Sequence, residues 1–180
     1  IALSVLAWVL GIIFGFVLAL GKMSKIGLIS KVCSLYIWFF RSLPLLVLLI
    51  FVYNLPQMYP ASSYVLSSPF IAGLIALTLS EAAYIAEIHR GGLTSVHKGQ
   101  VEAGKALGMK YVGIQKLIVI PQAFRIALPA LINEFIAIVK LTSLVSVISL
   151  TEILLVGQRL YAQNFLVMET TMTVWILLPA

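Results

Sequence analysis

Of 180 residues, 62% are hydrophobic and 10% are charged, and the mean hydropathy is +1.11, which excludes a water-soluble domain of this length. In lipid every backbone polar group needs an internal partner, so the chain is helical or a closed barrel, and long apolar runs without period-two alternation select helices. The net charge of +6 resides in a few connections and not on a basic face of a soluble fold, which argues against nucleic-acid binding.

Crossing the hydrocarbon core takes about 20 apolar residues, and five stretches qualify. Ile1 to Gly21 is the first; no basic residue precedes it and it exceeds a signal core, so a retained span is expected. Val32 to Tyr53 is the second, with Pro44 expected to kink or open it. Pro69 to His89 is the third, with Gly91 and Gly92 expected as its stop. Ile126 to Leu150 is the fourth, and a fifth begins near Phe165 and is still apolar at Ala180. With no initiator Met and an unfinished last span, the sequence reads as a fragment truncated at both ends. The expected fold is all-α, a single polytopic transmembrane bundle over 1–180.

Lys and Arg accumulate in cytoplasmic connections near span ends. Lys22, Lys25 and Lys31 fill the first connection, and Arg90, Lys98, Lys105, Lys110, Lys116 and Arg125 the third. Asn54 to Ser68 carries no charge, and the fourth connection carries only Glu152 and Arg159. The first and third connections are therefore expected in the cytoplasm, the N-terminus outside and the C-terminus inside.

The third connection, residues 90–125, is patterned. Val101, Gly104, Leu107 and Gly108 recur at helical spacing and are expected on one face, while Lys98, Glu102 and Lys105 point away. Gly108 stands where a left-handed residue would end a short amphipathic helix, and Ile114, Leu117 and Ile118 form a second stripe running to Pro121. Small residues at Ala103, Gly104 and Ala106 are expected to leave a surface that another protein can approach closely. Elsewhere, Cys33 has no disulfide partner and is expected to pack, and His89 and His97 are expected as solvated loop residues. No metal-ligand set and no nucleophile with its base is evident, so no catalytic residue is predicted.

Glu102, Ala103 and Gly104, followed by Gly108, Ile118, Ile120 and Pro121, resemble the signature loop of the permease subunits of bacterial ABC importers, which reads Glu-Ala-Ala, three residues, Gly, nine residues, Ile, one residue, Leu-Pro. Gly104 replaces the second Ala and Ile120 the Leu. The segments FFRSLPLLVLLIFVY, AYIAEIHRGGLTSVHKGQ and ALPALINEFIAIVKLTSLVSVISLTEIL resemble the polar amino-acid uptake branch of that family. The resemblance implies a cytoplasmic coupling helix that docks on an ATPase, with Glu102, Ala103, Gly104, Leu107 and Gly108 at the contact. It implies a bacterial inner-membrane location, a cytoplasmic ABC ATPase dimer, a second permease subunit, identical or paralogous, and an extracytoplasmic binding protein. No GxxxxGK[ST] loop and no Asp occurs, so no cofactor is expected in this chain; ATP and Mg belong to the partner.

Ionisable residues within spans cost about 2.5 to 3.5 kcal/mol each on insertion scales. Glu81 with Tyr84 in the third span, and Glu134, Lys140, Thr142 and Ser143 in or after the fourth, are therefore the candidates for a substrate pathway. Glu134 or Glu81 suits the ammonium of an amino acid, and Lys140, Thr142 or Ser143 its carboxylate. The alternative is structural pairing of these groups with one another or with Arg41. Glu134 and Lys140 lie about 240° apart around a helix and do not share a face. Glu87 and Arg90, three apart, are expected as an interfacial ion pair, and Arg41 as an anchor. A standalone carrier or channel, which would not need the patterned loop, and an integral-membrane enzyme, for which no nucleophile with its base and no metal set is in place, are the rival classes.

Overall fold

The computed structural model describes residues 1–148; the expected fifth span, Glu152 and Arg159 lie outside the described residues. Among the described residues every element is helical: α1 (Ala2–Lys22), α2 (Gly27–Ser42), α3 (Leu45–Met58), a 3-10 turn (Pro60–Ser62), α4 (Ser63–Leu66), α5 (Pro69–Ser95), α6 (Lys98–Ala106), α7 (Tyr111–Ile114), a π turn (Gln115–Val119), α8 (Ile120–Leu141) and a 3-10 segment (Thr142–Ile148). Among the described residues three helical runs are long and apolar enough to cross a membrane, Ala2–Lys22, Pro69–Ser95 and Tyr111–Val145, and α2 with α3 forms a fourth, broken candidate.

The break falls at Pro44. A proline ring crowds the residue before it out of the helical region, and Leu43 accordingly has φ −84° and ψ 131°. Pro44 is extended too, with φ −60° and ψ 129°, and its carbonyl accepts from the N–H groups of Val47 at 3.0 Å and Leu48 at 3.2 Å. Its missing N–H is harmless at a helix start and would have been a defect inside one.

Among the described residues the chain divides into two compact units, 1–7 with 44–77 and 136–148, and 8–43 with 78–135. In the described part of the first, α3 buries Leu48, Leu49 and Val52. Gly73 of α5 is packed so that an added Cβ would lie 2.9 Å from Val145 Cγ1 and 3.7 Å from Leu3 Cδ2.

The second unit is held by small residues. Helices in lipid gain little from hydrophobicity against one another, so close backbone approach decides their packing. Gly11 and Gly15 lie four apart on α1, and a Cβ at Gly15 would lie 3.0 Å from both the Ala82 carbonyl oxygen and the Ala86 nitrogen of α5. Trp8 donates its indole N–H to the Leu131 carbonyl of α8 at 3.1 Å, and its ring meets Phe135 edge-on with centroids 5.1 Å apart. Ile85, Ala127 and Leu131 form the buried cluster there, flanked by Trp8, Ile12 and Ile88. Cys33, a free thiol, packs against Gly21.

Two expected boundaries are corrected. Gly91 and Gly92 do not stop the third span, which runs on to Ser95. At Gly92 a Cβ would lie 2.6 Å from the Ala123 carbonyl oxygen, so this glycine permits contact between α5 and α8, at a helix-propensity cost of about 1 kcal/mol relative to Ala. The fourth span does not begin at Ile126, because α8 starts at Ile120 within a helical run from Tyr111. Pro121 has no N–H for the Leu117 carbonyl and its ring would crowd it; the wider π turn just before it makes room.

Candidate functional site

The segment after α5 folds on a core of its own. His97 has extended backbone, φ −61° and ψ 132°, and its side chain accepts from the N–H of Gly99, with Nδ1 3.2 Å away. The histidine expected as a solvated loop residue is thus the N-cap of α6, satisfying one of the donors a helix start leaves free. The other end closes as a Schellman motif: Met109 N–H donates to the Gly104 carbonyl at 3.0 Å and Gly108 N–H to that of Lys105 at 2.9 Å, with Gly108 at φ +73°. Between these caps, Val101 and Gly104 turn inward. Val101 and Met109 pack on the cluster of Leu93, Val96, Ile114, Val119 and Ala123, and full burial of a residue such as Ile114 is worth about 1.5 to 3 kcal/mol.

This division of faces corrects two expectations. Gly104 is buried, with its vacant Cβ position 2.9 Å from Ile114 Cγ1 and 3.2 Å from Ile118 Cδ1, so it faces the protein's own interior. Leu107 does not share that face; lying beyond the last turn of α6, it is 80% exposed. Glu102, Ala103, Ala106 and Gly108 are exposed as well. Past the glycine, Tyr111 and Val112 are 71% and 72% exposed. Leu107, Tyr111 and Val112 thus add exposed apolar surface around the Gly108 turn. Glu102 takes part in neither of the two ion pairs among the described residues.

Those two pairs share Glu87 of α5. Lys22 Nζ lies 2.6 Å from Glu87 Oε1, and Arg90 Nε lies 2.9 Å from Oε2. The expected Glu87–Arg90 pair is present, and Lys22 at the end of α1 joins it. His89, two residues on, is buried with Nε2 unpartnered and its ring edge-on to Phe16, centroids 5.4 Å apart. It is not a loop residue, because α5 continues past it.

A second polar group lies deeper in the same unit. Glu81 is 1% exposed, and its Oε2 has no hydrogen-bond partner. Its carboxyl group meets that of Glu134 on α8, and Arg41, in the last turn of α2, acts on Glu134 electrostatically. The Arg41 guanidinium carbon lies 5.3 Å from the centroid of the Tyr84 ring, and the Tyr84 hydroxyl donates a long bond of 3.4 Å to the Arg41 carbonyl. Glu81, Tyr84 and Glu134 are therefore neighbours, and Arg41, expected as an anchor or as a structural partner of these acids and left out of the substrate-pathway candidates, joins them. The signal available was an arginine within an apolar run just ahead of a proline. Lys140, Thr142 and Ser143 belong to the first unit. Thr142 is buried and donates to the Val139 carbonyl at 2.7 Å, and Ser143 donates to that of Lys140 at 2.7 Å.

Comparison with known proteins gives a consistent result. The profile of the family described as "Binding-protein-dependent transport system inner membrane component" matches residues 11–179. An arginine transport system permease protein of Corynebacterium glutamicum is 40% identical over 154 residues, which covers 81% of this chain and 49% of that protein. The chain thus spans about half the length of that relative. A probable amino-acid permease protein of Bacillus subtilis is 38% identical over 180 residues, 97% of this chain and 80% of that one. Among solved structures, the crystal structure of an amino acid ABC transporter with histidines superposes with a TM-score of 0.87 at 35% identity, covering 98% of this chain and 81% of that chain.

Proposed function

We propose that this chain, which belongs to the family of binding-protein-dependent transport system inner membrane components, is the membrane-spanning subunit of an ATP-driven importer of polar amino acids. The observation that carries this reading is the exposed apolar tip of the α6 module. Its inward face is spent on a private core, yet Leu107, Tyr111 and Val112 remain open around a capped turn. Exposed apolar surface rimmed by polar residues marks a docking site, and a rigid, doubly capped helix transmits force where a flexible loop would absorb it. Glu102, Ala103, Leu107 and Gly108 are the contact residues for a cytoplasmic ATPase dimer in this reading. Gly104 supports them from beneath.

The Lys22–Glu87 pair supports a common side for the first connection and the α6 module, because it holds the end of α1 beside the end of α5. Its excess of Lys and Arg makes that side the cytoplasm, and five spans then put the N-terminus outside and the C-terminus inside. The remaining components are a second permease subunit and an extracytoplasmic binding protein. Along the path, Glu134 with Glu81 behind it receives the ammonium of the substrate, beside Tyr84; Lys140, Thr142 and Ser143 are proposed as carboxylate-binding candidates on their own unit. The relatives named for amino-acid transport support that substrate class.

The test is reconstitution in liposomes with the ATPase and the binding protein. Loaded binding protein is expected to accelerate ATP hydrolysis, and labelled amino acid to enter only with ATP. Uptake that proceeds equally without the ATPase would overturn the proposal in favour of a standalone carrier.

A further inference from the structure

We propose that the exposed face of α2 binds an anionic phospholipid, with Lys25 and Lys31 at its headgroup and Leu28, Val32, Leu35 and Phe39 along its acyl chain. The inference goes beyond the importer reading and needs only that the chain sits in a bilayer.

α2 has two distinct sides. One is turned into its own unit: the Ser30 hydroxyl donates to the Lys22 carbonyl at 2.7 Å, Cys33 packs against Gly21, the Tyr36 hydroxyl donates to the Leu79 carbonyl at 2.9 Å, and Ile37 is buried. The other side carries Leu28, Val32, Leu35 and Phe39, spaced as a single stripe along a helix and 47% to 74% exposed. At about 1.5 Å per residue the stripe is about 16 Å long, close to the share of about 15 Å that one leaflet contributes to the hydrocarbon core.

Charge closes one end of that stripe. Lys31 stands beside it, one turn from both Leu28 and Leu35, and Lys25 lies in the connection just before α2. Both lysines are exposed, and among the described residues neither is in an ion pair, Glu87 being shared by Lys22 and Arg90. A lysine at the end of an apolar stripe lays its stem along hydrocarbon and sets its ammonium at headgroup depth, where an anionic phosphate is its complement.

A protein partner fits this face less well. Helices pack against one another in lipid through small residues that let backbones approach, as Gly11 and Gly15 do on α1, whereas the α2 stripe is built of large ones. A second permease subunit related by an axis along the membrane normal would bring its own lysines to the same leaflet and add like charge.

The experiment is native mass spectrometry of the purified permease complex after equilibration in mixed micelles with equal amounts of dioleoyl phosphatidylglycerol and dioleoyl phosphatidylcholine. The two lipids share their acyl chains and differ in net charge, so the ratio retained reads the headgroup. The native complex is expected to retain phosphatidylglycerol about tenfold or more over phosphatidylcholine, each lysine contributing about fivefold. In Lys25→Gln combined with Lys31→Gln the ratio is expected to fall to about one, and in Lys25→Arg combined with Lys31→Arg to stay near native. Lys116→Gln removes charge at another exposed position and is expected to leave the ratio unchanged. Added sodium chloride is expected to lower the native ratio by screening.

Equal retention of the two lipids by the native complex overturns the site and is the result expected of a face covered by a second subunit. A native ratio kept by the assembled glutamine variant, a ratio lost in the arginine variant, or an equal fall in Lys116→Gln overturns it as well. If the glutamine variant does not assemble, the salt titration decides, and a native ratio independent of salt overturns the site. None of these results bears on ATP-driven uptake, so the importer reading stands or falls separately on the liposome experiment.

Discussion

Gly104 and Ile114 stand so close that a methyl group on the glycine would lie 2.9 Å from Ile114 Cγ1. The small residue in the signature segment is therefore fitted to a neighbour within its own chain. Gly104→Ala gains helix propensity of about 1 kcal/mol and pays for it in overpacking of about 1 to 3 kcal/mol. Modest loosening of the module is expected, seen as faster proteolysis between α5 and α8 in the assembled complex. Gly104→Leu is expected to part α6 from α7 and abolish ATP-driven uptake while membrane insertion persists. Native uptake by Gly104→Leu would refute the close packing.

Gly108 tests the turn, not the packing, because nothing lies within 4 Å of its vacant Cβ position while its φ is +73°. Gly108→Val forces a branched residue into the left-handed region at a cost of about 1 to 2 kcal/mol, whereas Gly108→Asn is tolerated there. Uptake is expected to fall severalfold in the first and to stay near native in the second. Equal activity of both variants would show that the left-handed turn is not needed.

The apolar tip makes a separate prediction. Leu107→Glu and Glu102→Arg change the exposed surface without touching the core beneath, so insertion and fold are expected to be retained. Retention of the ATPase during co-purification is expected to fall about tenfold or more, the loss of a desolvated anchor. Undiminished retention in both variants would remove the tip as the docking surface.

Glu87→Gln leaves Lys22 and Arg90 without their shared carboxylate. The pairs are partly buried, with side-chain exposures of 29% for Lys22 and 18% for Glu87, so a loss of about 1 kcal/mol or somewhat more is expected. Differential scanning fluorimetry in detergent is expected to show a Tm lower by about 2 to 4 °C per kcal/mol for a chain of this size. An unchanged Tm would mean that the cluster contributes nothing to stability.

Glu134→Gln keeps shape and removes charge. Uptake is expected to fall at least about tenfold, with the permease–ATPase assembly intact by size-exclusion chromatography. If assembly is lost instead, Glu134 serves the bundle and not the substrate.

Much of the fold was legible because lipid leaves few choices: apolar length located α1 and α5, and Gly108 announced the end of α6 by the one property glycine alone supplies cheaply. The break at Pro44 followed from proline's effect on its predecessor. What stayed hidden depends on three-dimensional neighbours. Gly91 and Gly92 look like a stop in one dimension, and only Ala123 and Ala127 reveal Gly92 as a contact. His97 gives no hint of capping until its backbone is extended. Gly104 and Leu107 share a helical period but not a face, because the helix ends between them. In the polar cluster, Glu81, Tyr84 and Glu134 stood out by being ionisable or polar in apolar runs, whereas Arg41 fitted both an anchor and a structural partner of the acids until Tyr84 was found beneath it.

The bond from Trp8 to Leu131 spans 123 positions of sequence. At a ribosomal pace of about 5 to 20 residues per second, the indole emerges many seconds before its acceptor exists. During that interval the nascent first helix waits in the translocon or the lipid with an unmet donor and two bare glycine notches, and becomes fixed only as later helices arrive. Fixing of α1 in this unit thus waits on the synthesis of α8.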